Sequence, residues 1–269
     1  MSRVALVQLQ ASMQKDENLR SAIEYIENAK SKKAELVAFP EFLMAYSPSS
    51  QTANELSKIA EPVNGEFASA LREAARKNGI SIVATIYEKS RIKNKVYDTA
   101  LLIDKTGKLS SVYRKLHLYD ALGFKESAKL AAGKEPTKPA RTSIGSVGMM
   151  ICYDVRFPEM SRILVLMGAN ILVMPSAWVQ GEMKVEHWQT MLKARAIENG
   201  CYMVAPDQIG NIYVGHSMVV DPFGRIVLDM EERVGLEVVE LDNKLVDAVR
   251  KQLPLLKNRR SDIYSKYFK

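Results

Sequence analysis

A cysteine at the end of an apolar run is this chain's candidate for covalent chemistry. Cys152 closes Gly148-Met149-Met150-Ile151 and precedes the turn-forming pair Tyr153-Asp154. Free cysteine is among the most buried residue types, so a packed core position is the ordinary reading. Strand ends are also where α/β folds keep their chemistry, and a thiol there is a candidate nucleophile. Its usual pKa of ~8.5 leaves only a few per cent thiolate at neutral pH, so it needs a base or a cation nearby. The histidines, His117, His187 and His216, show no zinc spacing such as HExxH, and each reads as a hydrogen-bonded structural residue. Glu41 offers a different base. It follows Phe39-Pro40 at the end of a second apolar segment and should occupy the same edge of the sheet as Cys152, although a glutamate in such a place is usually solvated. Lys115 ends another strand within the basic run Tyr113-Arg114-Lys115-Leu116-His117-Leu118, and charge runs are usually solvated faces. Each signal is weak by itself.

The elements that must position these residues alternate along the chain. Val4 to Leu9 reads as a strand, followed by a helix with Leu19, Ala22, Ile23, Ile26 and Ala29 at helical spacing. Leu36 to Phe39 is a buried strand, and a helix from Glu66 to Lys77 stops at Asn78-Gly79. Strands follow over Ser81 to Tyr87, Val96 to Ile103 and Leu109 to Arg114, the last two joined by a turn at Asp104 to Lys108. The second half repeats the plan with a hairpin over Thr142 to Ile151 and helices over Pro158 to Met167 and Lys184 to Asn199. Strands lie at Ile171 to Met174, Tyr202 to Ala205, His216 to Val220, Ile226 to Leu228 and Leu236 to Glu240. Helices mixed with hairpins and single strands predict a layered α/β sandwich, not a purely parallel doubly wound sheet. The loop from Lys115 to Pro139 is long for a compact domain, a mark of a functional or mobile segment.

Length and composition exclude several classes. With 269 residues, 47% apolar and 26% charged, the chain fits one globular domain over 1–269. Two cysteines without paired spacing exclude a disulfide scaffold and a CxxC redox or zinc site. The N-terminal apolar run breaks too early for a signal peptide. Ile163 to Val179 contains Gly168, Asn170, Pro175 and Ser176, which suits a helix end, a turn and a strand better than a membrane span. A cytoplasmic protein without membrane contact is expected. The net charge of +7 is local, because residues 250–269 hold seven basic side chains against Asp262. That tail could bind phosphate backbones. Its interleaved Leu253, Leu255, Leu256, Ile263, Tyr264, Tyr267 and Phe268 instead predict packing against the core or a second subunit, and no nucleic-acid partner.

Glu41, Lys115 and Cys152, in that order, resemble the Glu–Lys–Cys triad of the nitrilase, or carbon–nitrogen hydrolase, superfamily. Their contexts match too: Phe-Pro-Glu-Phe at 39–42, Tyr-Arg-Lys-Leu-His-Leu-Tyr-Asp at 113–120 and Met-Ile-Cys-Tyr-Asp-Val-Arg-Phe-Pro-Glu at 150–159. The likeness continues through His187-Trp188, Ala194 to Asn199, Gly215-His216-Ser217, Asp221 to Gly224 and Arg259 to Tyr264, so it spans essentially the whole chain. The resemblance implies an αββα four-layer sandwich. It also implies a thioester on Cys152, with Glu41 as general base and Lys115 and the Tyr153 backbone N–H meeting the oxyanion. Glu126 matches the family's second glutamate, which positions the amide and supports Lys115, while Tyr46 and Trp178 match pocket-lining positions. No metal or cofactor is implied. A homodimer formed through the helix after Cys152 and the C-terminal segment is.

Cys-Tyr-Asp-x-Arg-Phe-Pro-Glu is similar to the branch of ω-amidases and deaminated-glutathione amidases, which implies small linear amides carrying a distal carboxylate as substrates. Two loops depart from that branch. Ala121-Leu122-Gly123-Phe124 is short where the branch has a longer Ile-Pro-Gly-containing segment, and Asp207 to Tyr213 is abbreviated. Both should border the pocket.

Overall fold

A computed structural model describes residues 1–267; Phe268, read above as part of the apolar tail, lies outside the described residues. The first half runs through β1 (Ser2–Gln8), α1 (Lys15–Ser31), β2 (Leu36–Ala38), α2 (Ala53–Ile59), α3 (Glu66–Asn78) and β3 (Ser81–Lys89). It ends in β4 (Val96–Ile103) and β5 (Leu109–Arg114). The second half opens with β6 (Ala140–Thr142) and β7 (Gly145–Met149), then alternates α4 (Pro158–Leu166), β8 (Ile171–Val173), α5 (Lys184–Asn199) and β9 (Tyr202–Ala205). A short hairpin of β10 (Ile209–Gly210) and β11 (Tyr213–Val214) precedes β12 (Met218–Val220) and β13 (Ile226–Asp229). Then β14 (Gly235–Leu241) returns to the first sheet, and α6 (Asn243–Gln252), α7 (Leu255–Asn258) and α8 (Ser261–Tyr264) follow.

The strands form two six-stranded sheets, ordered β14-β1-β2-β3-β4-β5 and β13-β12-β9-β8-β7-β6. In each, a parallel centre (β1-β2-β3 and β7-β8-β9) is flanked by antiparallel strands. Side chains alternate across a strand, and here the alternation sorts the layers. Val4, Leu6, Leu36, Ala38, Val83, Ala100 and Leu102 pack toward Val147, Met149, Ile171 and Val173 of the second sheet. Their neighbours Ala5, Val7, Val37, Phe39, Ile82, Ala84, Leu101 and Ile103 join Ala22, Ile26, Phe67 and Leu71 of α1 and α3. On the far side α4 and α5 cover the second sheet, completing the αββα order. There Gly148 permits close approach, since a Cβ on it would lie 3.0 Å from Leu172 and 3.3 Å from Leu164.

Strands buried on both faces explain why the sequence shows continuous apolar runs instead of strict alternation. Four helices, α2 and α6 to α8, were not foreseen. Only Leu56 of α2 is buried, so its apolar period is faint, and its local signal is the capping box of Thr52 and Glu55. The tail is also more helical than its composition suggests, for α6 starts at Asn243 with the Asp242 side chain accepting the Lys244 N–H at 3.0 Å. Beyond it Leu256 packs against the core, while Leu253, Leu255, Tyr264 and Tyr267 are exposed in the single chain. Among the described residues no helix is long and apolar enough to cross a membrane.

Candidate active site

Glu41 and Cys152 do not leave one sheet, as expected from sequence, but two. Glu41 follows β2 of the first sheet, Lys115 follows β5 of the same sheet, and Cys152 follows β7 of the second. Stacking the sheets face to face brings these strand ends together. Hydrogen bonds across the seam hold them. The Glu41 N–H donates to the Ser176 carbonyl at 3.1 Å, and Gln208 Nε2 donates to the Glu41 carbonyl at 2.8 Å. Asp154, two residues past the cysteine, accepts from the Tyr113 hydroxyl at 2.6 Å, the Ile151 N–H at 2.8 Å and the His117 N–H at 3.2 Å. The turn that carries Cys152 is thereby pinned to the strand that carries Lys115.

Both reactive strand ends turn through left-handed backbone. Cys152 has φ +41° and Phe42, beside Glu41, has φ +57°. Non-glycine residues held there cost about 1–3 kcal/mol and persist only where the surroundings fix them. The Cys152 N–H donates to the Pro175 carbonyl at 3.0 Å, and Phe42 stacks on Tyr87 at 5.7 Å.

Lys115 is fully buried and lies between two carboxylates, 2.7 Å from Glu41 Oε1 and 2.9 Å from Glu126 Oε2. Burial pulls its pKa down, but Glu126 and Glu41, helped by Cys152 and Asp98, outweigh that and hold the ammonium well above the usual lysine range. Glu126 is fixed in turn by the Tyr119 N–H at 2.7 Å. Burial raises its pKa, Lys115 opposes the rise, and Glu41 adds to it. Burial also pushes the Cys152 thiol well up, and Glu41 adds to this; Lys115 and a backbone hydrogen bond from Ala177 act the other way. Burial and the neighbouring carboxylate thus favour the neutral thiol over the thiolate.

A cavity of 560 Å³ opens beside Cys152. Tyr46, Glu126, Tyr153 and Trp178, all expected at the site, line it together with Tyr119, Tyr213 and Lys184. Lys184 is a pocket residue that sequence reasoning missed. It opens helix α5, where a cation opposes the helix dipole, and that misplacement was its one legible signal. Its side chain lies 3.3 Å from the Tyr119 hydroxyl and over the Trp178 ring at 4.8 Å, and among the described residues no carboxylate pairs with it. Burial and the facing Arg156 lower its pKa. Asp98 was missed as well. It is an acid inside an otherwise apolar strand, 1% exposed, within electrostatic reach of Glu41, Lys115 and Glu126. Two of the three histidines are hydrogen-bonded structural residues, with His117 Nδ1 2.7 Å from Asp154 and His216 Nδ1 3.0 Å from Asp229, whereas His187 is exposed on α5. Among the described residues no group of three or more His, Cys, Asp and Glu could hold a metal ion.

A buried acid–ammonium–acid cluster facing a cavity cysteine across two stacked sheets defines the class. The chain belongs to the carbon–nitrogen hydrolase family, whose model matches residues 3–251. It is 38% identical over 225 residues to the deaminated glutathione amidase of Escherichia coli O157:H7, covering 84% of each chain. It superposes on the crystal structure of the Caenorhabditis elegans NitFhit protein with a TM-score of 0.90 at 37% identity, covering 98% of this chain and 66% of that one. An amidase from Nesterenkonia sp. AN1, solved as a double mutant in complex with acrylamide, superposes with a TM-score of 0.81 at 26% identity over 99% of this chain and 97% of the other. The fold is that of the nitrilase superfamily, and the protein is a carbon–nitrogen hydrolase.

Proposed function

We propose that the protein hydrolyses small linear amides that carry a carboxylate at the far end of the acyl chain, through a thioester on Cys152. The observation that carries the reading is the buried Glu41–Lys115–Glu126 cluster beside the cavity cysteine. Cys152 Sγ attacks the amide carbonyl carbon while Glu41 takes the thiol proton. The oxyanion is met by the Lys115 ammonium and the Tyr153 backbone N–H, donors fixed before reaction. Glu41 returns the proton to nitrogen, the C–N bond breaks and ammonia leaves. Glu41 then takes a proton from water as the water attacks the thioester; the C–S bond breaks, the acid departs and the thiol recovers its proton.

Charge supports the carboxylate. Lys125, Lys129 and Lys184 line the cavity, and Glu126, its one lining acid among the described residues, is engaged by Lys115. Amide over nitrile follows from Glu126, which can accept from an amide NH₂ that a nitrile lacks, and a site left with an unpaired acceptor discriminates strongly. Comparing kcat/KM for a matched amide and nitrile of one acyl chain tests this: the amide is expected to be much faster, and equal values overturn the assignment. Acylation of Cys152 by an acyl electrophile separates an active hydrolase from a silent binding protein.

The reading extends to assembly and place. A cytoplasmic homodimer would cover Ile163 and Leu166 of α4, Met167 just after it, and Leu253, Leu255, Tyr264 and Tyr267 of the tail, all exposed in the single chain. Burying each large side chain contributes about 1.5–3 kcal/mol. A chain ending at Pro254 should therefore lose its dimer or become insoluble, and an unchanged oligomer in light scattering removes the tail from the interface.

A further inference from the structure

Three buried carboxylate oxygens around the site lack a donor among the described residues: Asp207 Oδ2, whose carboxylate is a charge neighbour of Glu41 and Lys184, and two within the Lys115 cluster. Glu41 Oε2 and Asp98 Oδ2 find no hydrogen-bond partner among the described residues, although Glu41 Oε1 is taken by Lys115. Leaving such an oxygen unsatisfied is costly, so each demands an explanation. Asp98 sits on β4 opposite Tyr87 of β3, and its carbonyl accepts the Lys115 backbone N–H at 2.9 Å, which fixes it beside the cluster. Its carboxyl meets the Glu41 carboxyl side chain to side chain. Two acceptors in contact repel; one proton between them satisfies both.

The proton inventory agrees. Asp98 is faced by Glu41 after β2, Tyr87 on β3, Lys115 after β5 and Glu126 in the following turn, with Cys152 beyond. With every acid ionised, three buried carboxylates would share one ammonium, which the low dielectric does not tolerate. Glu41 and Glu126 contact Lys115 directly, and Asp98 does not. We propose that Asp98 is a positioning residue that stays protonated and donates its carboxyl proton to Glu41 Oε2, holding Glu41 as an ionised, oriented base. Burial first, then the charge of Glu41, pushes the Asp98 carboxyl well above the usual carboxylate range, in keeping with this. The proton does not move in turnover, and Asp98 touches no substrate.

The inference rests on Glu41 being the base, and the test keeps the two apart. A donor to a carboxylate favours its ionised form, so without that donor the base is harder to keep ionised. In Asp98→Ala the acid limb of kcat/KM should move to higher pH and kcat should fall about tenfold, the scale of one lost charge-assisted hydrogen bond. Asp98→Asn keeps a donor and should return the limb to its wild-type position. Had Asp98 been ionised, Asp98→Asn would remove a negative charge and drive the limb to lower pH, which overturns the proposal; so does an unmoved limb in Asp98→Ala. If Asp98→Ala does not fold, infrared spectra decide. A protonated carboxylic acid band that persists through neutral pH and vanishes in Asp98→Asn supports the proposal, and its absence from the wild type overturns it. Activity surviving in Glu41→Gln would sink the base while leaving the infrared result standing.

Discussion

Lys115 and Lys184 both lie within electrostatic reach of Cys152, yet their surroundings have little in common. Lys115 touches two carboxylates within 3 Å and is held above the usual lysine range, whereas Lys184 has a tyrosine hydroxyl at 3.3 Å and is held below it. The first is satisfied before any substrate arrives. Under the proposed function, the second would gain its charged partner from the distal carboxylate of the substrate. A site that must stabilise a fleeting oxyanion benefits from preorganisation, while a site that chooses among substrates benefits from leaving its own charge uncompensated. On the proposed reading, the contrast separates the cluster assigned to chemistry from the cavity lysine assigned to selection.

The sharpest way to break that contrast is on the chemical side. Cys152→Ala should abolish turnover, and Glu41→Gln should reduce kcat by about 10²–10⁴-fold, the usual contribution of a general base, without unfolding the protein. Ammonia release from folded variants measures both, and near-normal rates in either would remove the triad from the mechanism. On the selective side Lys184→Met should lower kcat/KM about 10–100-fold for an amide with a distal carboxylate, the scale of one charge-assisted hydrogen bond. For a neutral amide of equal length the same change should do little. Equal losses for both would make Lys184 structural.

A smaller effect sharpens the comparison further. Because burial and Glu41 hold the Cys152 thiol up, its alkylation by iodoacetamide should inflect at a more alkaline pH than free cysteine. Removing the Glu41 charge takes away one cause of the upward shift, so in Glu41→Gln the inflection should move to lower pH even as turnover is lost. An inflection that moves upward instead would mean Glu41 stabilises the thiolate.

The chemical side was largely legible in the sequence and the selective side was not, for a physical reason. Glu41 and Cys152 follow strands whose apolar runs show plainly, Lys115 follows the mixed segment Leu109 to Arg114, and the resemblance of all three contexts to one family is what marked them together. That Glu41 and Cys152 leave different sheets was invisible, since strand order depends on pairing across the whole chain. The roles proposed for Lys184 and Asp98 depend on neighbours far away in sequence: Tyr119 lies 65 residues from Lys184, and Glu41 follows β2 while Asp98 sits on β4. A helix-opening lysine and an acid in an apolar strand were the traces, and neither names its partner. The helix α2 was missed because a single buried leucine leaves no period to read.

The seam between the sheets also bears on how the chain comes to life. The Gln208–Glu41 contact spans 167 residues and the Tyr113–Asp154 contact spans 41, so neither half can build the site alone. Contacts of such wide separation form late, after the loops between them have closed. Recovery of activity after dilution from denaturant should accordingly lag the return of helical signal, and the enzyme would report on the docking of its own two halves.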